Sequence, residues 1–125
     1  RDWQTHTSQF TPGKNFPSTG GFGPYLVTPD DVGDVHNLRI QTRLNGEVMQ
    51  SSNTGLLIFD IPALIEYLSA FTVLSPGDVI ATGTPGGVGF KRDPVVFLQP
   101  GDEVAVEIEK VGLLRNPVVA ERVAS

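Results

Sequence analysis

The sequence predicts a mainly β fold with one clear amphipathic helix and short extra turns. Polar and apolar residues alternate over 38–44 and again over 103–109, which is typical of half-buried strands. Apolar residues recur at helical spacing over 61–71. Fourteen glycines and ten prolines in 125 residues add many turns and leave little room for long elements.

The N-terminal half predicts a loop followed by strands. Residues 1–24 are polar and rich in glycine and proline, so we expect irregular loop. A short strand is predicted over 25–28 and a longer one over 38–44. Asn45-Gly46 comes next, the strongest two-residue hairpin signal, because a type I′ turn needs positive φ at both central residues. Residues 47–50 are then the returning strand.

The C-terminal half predicts the helix and further strands. Asp60 can cap a helix whose first turn holds Pro62. Two Pro-Gly-Asp turns follow, and each precedes a predicted strand. In the second of these strands valine and isoleucine alternate with glutamate, so we expect one buried face and one solvated face. The strands predicted in this half are 79–82, 103–109 and a short one at 118–119.

Composition limits the function classes. The net charge is −5 and no basic run occurs, so we expect neither nucleic acid nor an anionic membrane as partner. No apolar stretch approaches the roughly 20 residues of a membrane span. The absence of cysteine excludes disulfides and thiolate catalysis, and it fits the cytoplasmic location that we expect. The sequence starts at Arg1, and we expect part of a longer polypeptide.

The run Thr82–Gly89 is the most informative segment. Its four glycines let backbone approach a ligand closely, and its two threonine hydroxyls can bind a carboxylate. It is not a phosphate-binding P-loop, because Lys91 is followed by Arg92 rather than by Ser or Thr. Taken alone, the glycines favour an ordinary turn-rich loop between strands.

Other candidate residues are open to two interpretations. Lys14, in a Gly/Pro-rich loop, is either a solvated surface lysine or a fixed cation for a carboxylate or enolate. His6 and His36 lack the spacing of a metal site and are interpreted as loop histidines. The glutamates of 103–109 are interpreted as the solvated face of a strand.

Several short motifs occur in a fixed order along nearly the whole chain. They are Arg1-Asp2-Trp3-Gln4, Gly13-Lys14-Asn15-Phe16, Gly23-Pro24, Leu44-Asn45-Gly46-Glu47 with Gln50, the run 74–89, Pro100-Gly101-Asp102-Glu103-Val104 and Gly112-Leu113-Leu114-Arg115-Asn116. In combination they resemble the fumarylacetoacetate hydrolase (FAH) superfamily. Residues 1–125 are similar to the C-terminal part of its single catalytic domain.

The resemblance implies a mixed β-roll, a homodimer, a divalent metal ion (Mg²⁺ or Mn²⁺) and a small-molecule oxo-acid substrate. The reaction that we expect is metal-dependent hydrolysis of a C–C bond in an acylpyruvate or a related β-diketo acid. One alternative is isomerisation or decarboxylation of a 2-oxo-diene dicarboxylate from aromatic degradation. Another alternative is a non-catalytic oxo-acid-binding remnant.

The resemblance also implies roles for five residues of this chain. Gln4 would donate its amide to the reacting carbonyl oxygen, and Lys14 would stand beside the metal site; these two are the predicted catalytic residues. Ser18 would place a hydroxyl near the metal. Arg1 would shape the anionic end of the site, and Thr84 would bind the substrate carboxylate.

The metal ligands of the family, a Glu-x-Glu pair and an Asp, are expected upstream of Arg1. The same is expected of a His and a Glu that act as general base. Glu107-Ile108-Glu109 has the Glu-x-Glu spelling at a different position, and we interpret it as surface. The chain is therefore expected to carry half of a site and no metal ligand of its own.

Overall fold

The computed structural model describes residues 1–121, which form a four-stranded antiparallel sheet of order β2-β1-β3-β4. The strands are β1 (Arg39–Leu44), β2 (Glu47–Asn53), β3 (Glu103–Ile108) and β4 (Gly112–Pro117). Residues far apart in sequence thus share one sheet, since β1 pairs with both β2 and β3. The mainly β prediction is confirmed.

The helices are short. They are α1 (Pro29–Val32) and α2 (Ile61–Ser69), with 3₁₀ turns at Asp2–Gln4, Thr11–Lys14, Thr54–Leu56 and Gly89–Lys91. The predicted helix is α2, and the Asp60 carboxylate caps it by accepting a 2.8 Å hydrogen bond from the Ala63 N–H. Within residues 1–121, no helix is long and apolar enough to cross a membrane.

The β1–β2 hairpin turns at Asn45-Gly46, as predicted. Their φ angles are 51° and 87°, the positive values that this tight turn needs. The pairing then slips by one residue: Thr42 faces Gln50 whereas Arg43 faces Val48, which leaves Met49 as the extra residue of a β-bulge.

The two Pro-Gly-Asp turns have the same structure. In one, the Asp78 N–H donates to Ser75 O over 3.0 Å and the Asp78 carboxylate accepts from the Ser75 N–H over 2.8 Å. In the other, Asp102 makes the same two contacts with Gln99, at 3.0 and 2.7 Å. The central glycines have φ of 100° and 99°.

Three predicted strands are wrong. Residues 25–28 form no ladder, and the Tyr25 ring instead covers the Cα of Gly112. Residues 79–82 pair with no strand of the described chain. Residues 118–119 lie beyond the sheet, and Val118 exchanges backbone hydrogen bonds with the 100–102 turn. Strand β4, which directly precedes them, was not predicted.

The faces of β3 also differ from the prediction. Ala105, on the face expected to be solvated, is 5% exposed and belongs to the core with Val32 and Leu38. The glutamates on this face do not simply point into water. Glu107 pairs with Arg43 at 2.7 Å, and Glu103 pairs with Arg115 at 2.5 Å. The alternation of apolar and polar residues correctly identified β3 as a strand. Which face of β3 is buried depends on the segments that pack against it.

Candidate active site

Arg1 and Gln4 lie together at the start of the chain. The 3₁₀ turn Asp2–Gln4 places the Gln4 N–H on Arg1 O at 2.9 Å, and residues three apart in such a turn lie one above the other. The Arg1 guanidinium donates to Gln4 Oε1 over 2.5 Å. Because a guanidinium has only donors, the oxygen of the Gln4 amide must face Arg1, and Nε2 faces away.

Gln4 is 9% exposed and packs against Gly13 in the second 3₁₀ turn. A Cβ at Gly13 would lie 2.2 Å from Gln4 Cγ and 2.9 Å from Gln4 N, so this contact requires glycine. Gln4 Nε2 reaches Gly13 O only at 3.4 Å, a long hydrogen bond. The amide of Gln4 is therefore held in place and keeps donor capacity for a ligand.

Lys14 follows Gly13 directly, so its backbone lies in the 3₁₀ turn that packs against Gln4. The side chain is exposed and has no hydrogen bond or ion pair with another described residue. Asn15 stabilises this turn by donating to Thr11 O at 2.6 Å. Ser18 is also exposed, in a turn with φ of 59°, and no contact joins it to Lys14.

Arg1 also joins this corner to the glycine-rich run. Its guanidinium carbon lies 4.5 Å from the centre of the Phe90 ring, within cation–π distance. Phe90 belongs to the 3₁₀ turn Gly89–Lys91, which begins at the last residue of the run Thr82–Gly89. Arg1 therefore contacts both Gln4 and the residue that directly follows that run.

Thr84 lies near the start of the run, where Gln50 of β2 holds it. Gln50 Nε2 donates to Thr84 Oγ1 at 3.0 Å and to Pro85 O at 2.8 Å. Arg92 braces the next segment, since Nε donates to Gly87 O at 3.1 Å and Nη2 donates to Met49 O. The glycine-rich run is thus fastened to the bulged strand β2.

Two clefts flank the run. The first, of about 540 Å³, is bounded by Thr82–Gly86, the 3₁₀ turn Thr54–Leu56 and Leu64 of α2. The second, of about 320 Å³, is bounded by Arg1, Gln50 and the continuation of the run. Thr84 lines the first cleft and Arg1 lines the second. The structure therefore brings Arg1 and Gln4 into contact and places Lys14 in the adjoining turn, and no hydrogen bond of the described residues joins this pair to Thr84.

The described residues do not fit a divalent metal by themselves. Within residues 1–121, no three His, Asp or Glu side chains come together as a possible metal site. Glu107 is paired with Arg43, and Glu109 accepts a 3.1 Å hydrogen bond from the Arg39 N–H. Mg²⁺ and Mn²⁺ prefer carboxylate oxygens, so ligands would have to come from outside the described residues.

Sequence reasoning gave no role to Gln50 or Arg92. Gln50 belongs to a recognised motif, but its contact with Thr84 spans 34 residues. The Arg92–Met49 contact spans 43 residues and has no sequence signal. Both contacts are made at the bulge in β2.

The family is decided by the match of residues 1–119 to the family described as "Fumarylacetoacetate (FAA) hydrolase C-terminal". The chain belongs to the FAH family. The expected superfamily and its fold are confirmed.

One similar curated protein is the mitochondrial oxaloacetate tautomerase FAHD2A of Bos taurus. It is 53% identical over 121 residues, which are 95% of this chain and 38% of the relative. The chain thus spans less than two fifths of the length of that relative. Because the relative is mitochondrial, a cytoplasmic location stays a prediction.

Two solved structures of hydrolases are also similar to this chain. The fumarylacetoacetate hydrolase of Exiguobacterium antarcticum has a TM-score of 0.92 and 43% identity, over 97% of this chain and 43% of that one. The maleylpyruvate hydrolase of Sphingobium sp. SYK-6, in complex with manganese(II) and pyruvate, has a TM-score of 0.70 and 38% identity, over 78% of this chain and 34% of that one. The relatives include hydrolases and a tautomerase, and one of them binds a divalent metal.

Proposed function

We propose that this chain supplies the substrate-binding wall of an enzyme that acts on a 2-oxo acid through its enol form. Keto–enol isomerisation of a 2-oxo acid and C–C hydrolysis of an acylpyruvate both place negative charge on the oxygen of the 2-oxo group. A site that stabilises this oxygen can serve either reaction.

The observation that carries the proposal is the orientation of the Gln4 amide. Arg1 occupies Gln4 Oε1, so Gln4 Nε2 is committed to donating, and its contact with Gly13 O is long. An N–H donor held in a mostly buried position stabilises a developing oxyanion without reorganising during the reaction. The positive charge of Arg1 next to the amide strengthens this effect.

The carboxylate of the substrate would bind at Thr84. Thr84 lines a cleft of about 540 Å³, large enough for a small oxo-acid. Gln50 and Arg92 hold the run around it, so the hydroxyl is presented by a braced segment rather than by a loose loop. Lys14 would add a cation near Gln4. For Ser18 we propose only what family resemblance implies, a hydroxyl near the metal.

A divalent metal, Mg²⁺ or Mn²⁺, is part of the proposal. The manganese complex of the maleylpyruvate hydrolase supports it. When bound, the ion would supply Lewis-acid stabilisation of developing negative charge. We propose that carboxylates outside this chain hold it, because the described residues contain no suitable cluster.

Between the two reactions we favour isomerisation of oxaloacetate, because the relative with 53% identity is an oxaloacetate tautomerase. C–C hydrolysis of an acylpyruvate, which the sequence led us to expect first, is the second candidate. The two hydrolases with 38–43% identity support it.

The test is a comparison of substrates on the purified full-length enzyme. Conversion of enol-oxaloacetate to the keto form and cleavage of acylpyruvates are followed by ultraviolet absorbance with Mn²⁺ or Mg²⁺. We expect metal-dependent turnover of oxaloacetate that exceeds acylpyruvate cleavage and disappears with a chelator. Cleavage of acylpyruvates alone would select hydrolysis, and turnover of no 2-oxo acid would refute the proposal.

A further inference from the structure

We propose that Gln50 is a positioning residue that makes the Thr84 hydroxyl a hydrogen-bond donor toward the substrate carboxylate. The inference rests on the proposed function, because it takes Thr84 as the residue that binds that carboxylate. In addition, Gln50 on strand β2 determines the direction in which the Thr84 hydroxyl donates its hydrogen.

The orientation of the Gln50 amide follows from its neighbours. Its terminal nitrogen faces two backbone oxygens, Pro85 O at 2.8 Å and Gly86 O at 3.5 Å. Carbonyl oxygens only accept hydrogen bonds, so the NH₂ group and not the amide oxygen must lie on this side. The contact at 3.0 Å between Gln50 Nε2 and Thr84 Oγ1 therefore runs from Gln50 to Thr84.

This direction determines what Thr84 can offer. A hydroxyl has one hydrogen and two acceptor lone pairs, and one lone pair of Thr84 is occupied by Gln50. An amide nitrogen accepts nothing, so the hydrogen of Thr84 must point elsewhere. No other described residue accepts it, and Thr84 lines the larger cleft. The hydroxyl is thus left to donate to a ligand, which is what an anion requires.

The bulge in β2 explains why Gln50 can reach the run. Met49 is the extra residue, and its carbonyl oxygen lies 2.4 Å from where a Cβ of Gly87 would be. Gly87 has φ of 97°, so glycine is required there both for space and for backbone conformation. The run passes close to the bulge, and Gln50 is the next residue along β2.

A double-mutant cycle on the full-length, Mn²⁺-loaded enzyme tests the inference. Pyruvate affinity is measured by titration calorimetry for wild type, Gln50→Met, Thr84→Val and the double variant. Each single change should weaken binding about tenfold, the scale for losing one hydrogen bond to a charged group. The double variant should bind no more weakly than Thr84→Val, because Gln50 acts through Thr84. Gln99→Met, the same exchange at a side chain outside both clefts, should have no effect.

The other outcomes each have a definite meaning. If wild type binds pyruvate and Gln50→Met binds equally well, or if the two losses add, the inference is overturned and the proposed function stands. If wild type turns over a 2-oxo acid but does not bind pyruvate, the inference alone is overturned. If wild type turns over no 2-oxo acid, the proposed function fails and the inference falls with it.

A measurement on wild type serves if Gln50→Met does not fold. The two side-chain amide protons of Gln50 should exchange slowly by NMR and should shift when pyruvate is added. Fast exchange with no shift would overturn the inference.

Discussion

At the scale of single residues, the site depends on contacts that leave no room for larger side chains. Gly13 is the clearest case, because a Cβ there would collide with Gln4 Cγ at 2.2 Å. The Arg1–Gln4 pair could be predicted, since the two residues are three apart in one turn. The Gln50–Thr84 contact could not be predicted, because the two residues are 34 apart in sequence and meet only in the folded chain.

Gly13→Ala should displace the Gln4 amide and so lower kcat of the full-length enzyme. The added methyl group should also overpack this contact and lower the free energy of unfolding by about 1–3 kcal/mol. Steady-state kinetics and a denaturant titration measure the two effects. The matched control is Gly20→Ala, because a Cβ at Gly20 meets nothing within 4 Å. Equal kcat for both variants would show that Gln4 does not depend on Gly13.

Lys14→Ala should lower turnover at least about 100-fold, the scale for losing one electrostatic stabiliser. Its exposure and lack of partners in the described chain mean that the fold should not change. Lys110→Gln is the control, because it removes the same charge at a lysine that instead donates to Val32 O. Near-normal turnover of the Lys14 variant would assign Lys14 to the solvated surface.

At the scale of elements, periodicity predicted β1, β3 and α2 but could not predict partners. Residues 79–82 are apolar enough for a strand, yet a strand also needs a neighbour to complete its hydrogen bonds. Strand β4 was missed because Leu113 and Leu114 are adjacent and break the alternation. Its place is set by pairing with β3, which sequence pattern does not report.

The turn at Asp102 supports a prediction about pH. Hydrogen bonds from the Asn45 side chain and from the Gln99 N–H lower the pKa of Asp102 below its usual value of 3.8. Because the folded-state pKa is depressed, this stabilisation is present above pH 3.8 and is lost as the pH falls through the lower folded value. NMR titration of the carboxyl group should give a pKa below 3.8, and Asn45→Ala should raise it. A pKa unaffected by Asn45→Ala would contradict the assignment.

At the scale of the whole molecule, the chain exposes unusually much surface. Its accessible area is 9975 Å², whereas a folded monomer of 13.4 kDa is expected to have about 6,500 Å². Large apolar side chains are among the exposed groups, and Ile58 is 92% exposed. Such surface is stable in water only when it is covered, so we expect these residues to be in contact with further polypeptide in the working enzyme.

A homodimer is the assembly that family resemblance implies, and it stays a prediction. Sedimentation of the full-length enzyme over a wide concentration range should give a mass of two subunits with no monomer at micromolar concentration. A single-subunit mass at every concentration would contradict it, and the apolar surface would then have to be covered within one polypeptide.

In the proposed site, Gln4 and Thr84 bind the adjacent keto oxygen and carboxylate of one 2-oxo acid. A crystal structure of the full-length enzyme with Mn²⁺ and pyruvate is the decisive test. We expect the keto oxygen of pyruvate to lie within hydrogen-bond distance of Gln4 Nε2 and its carboxylate to lie within hydrogen-bond distance of Thr84 Oγ1. Pyruvate bound without contact to either side chain would refute this assignment.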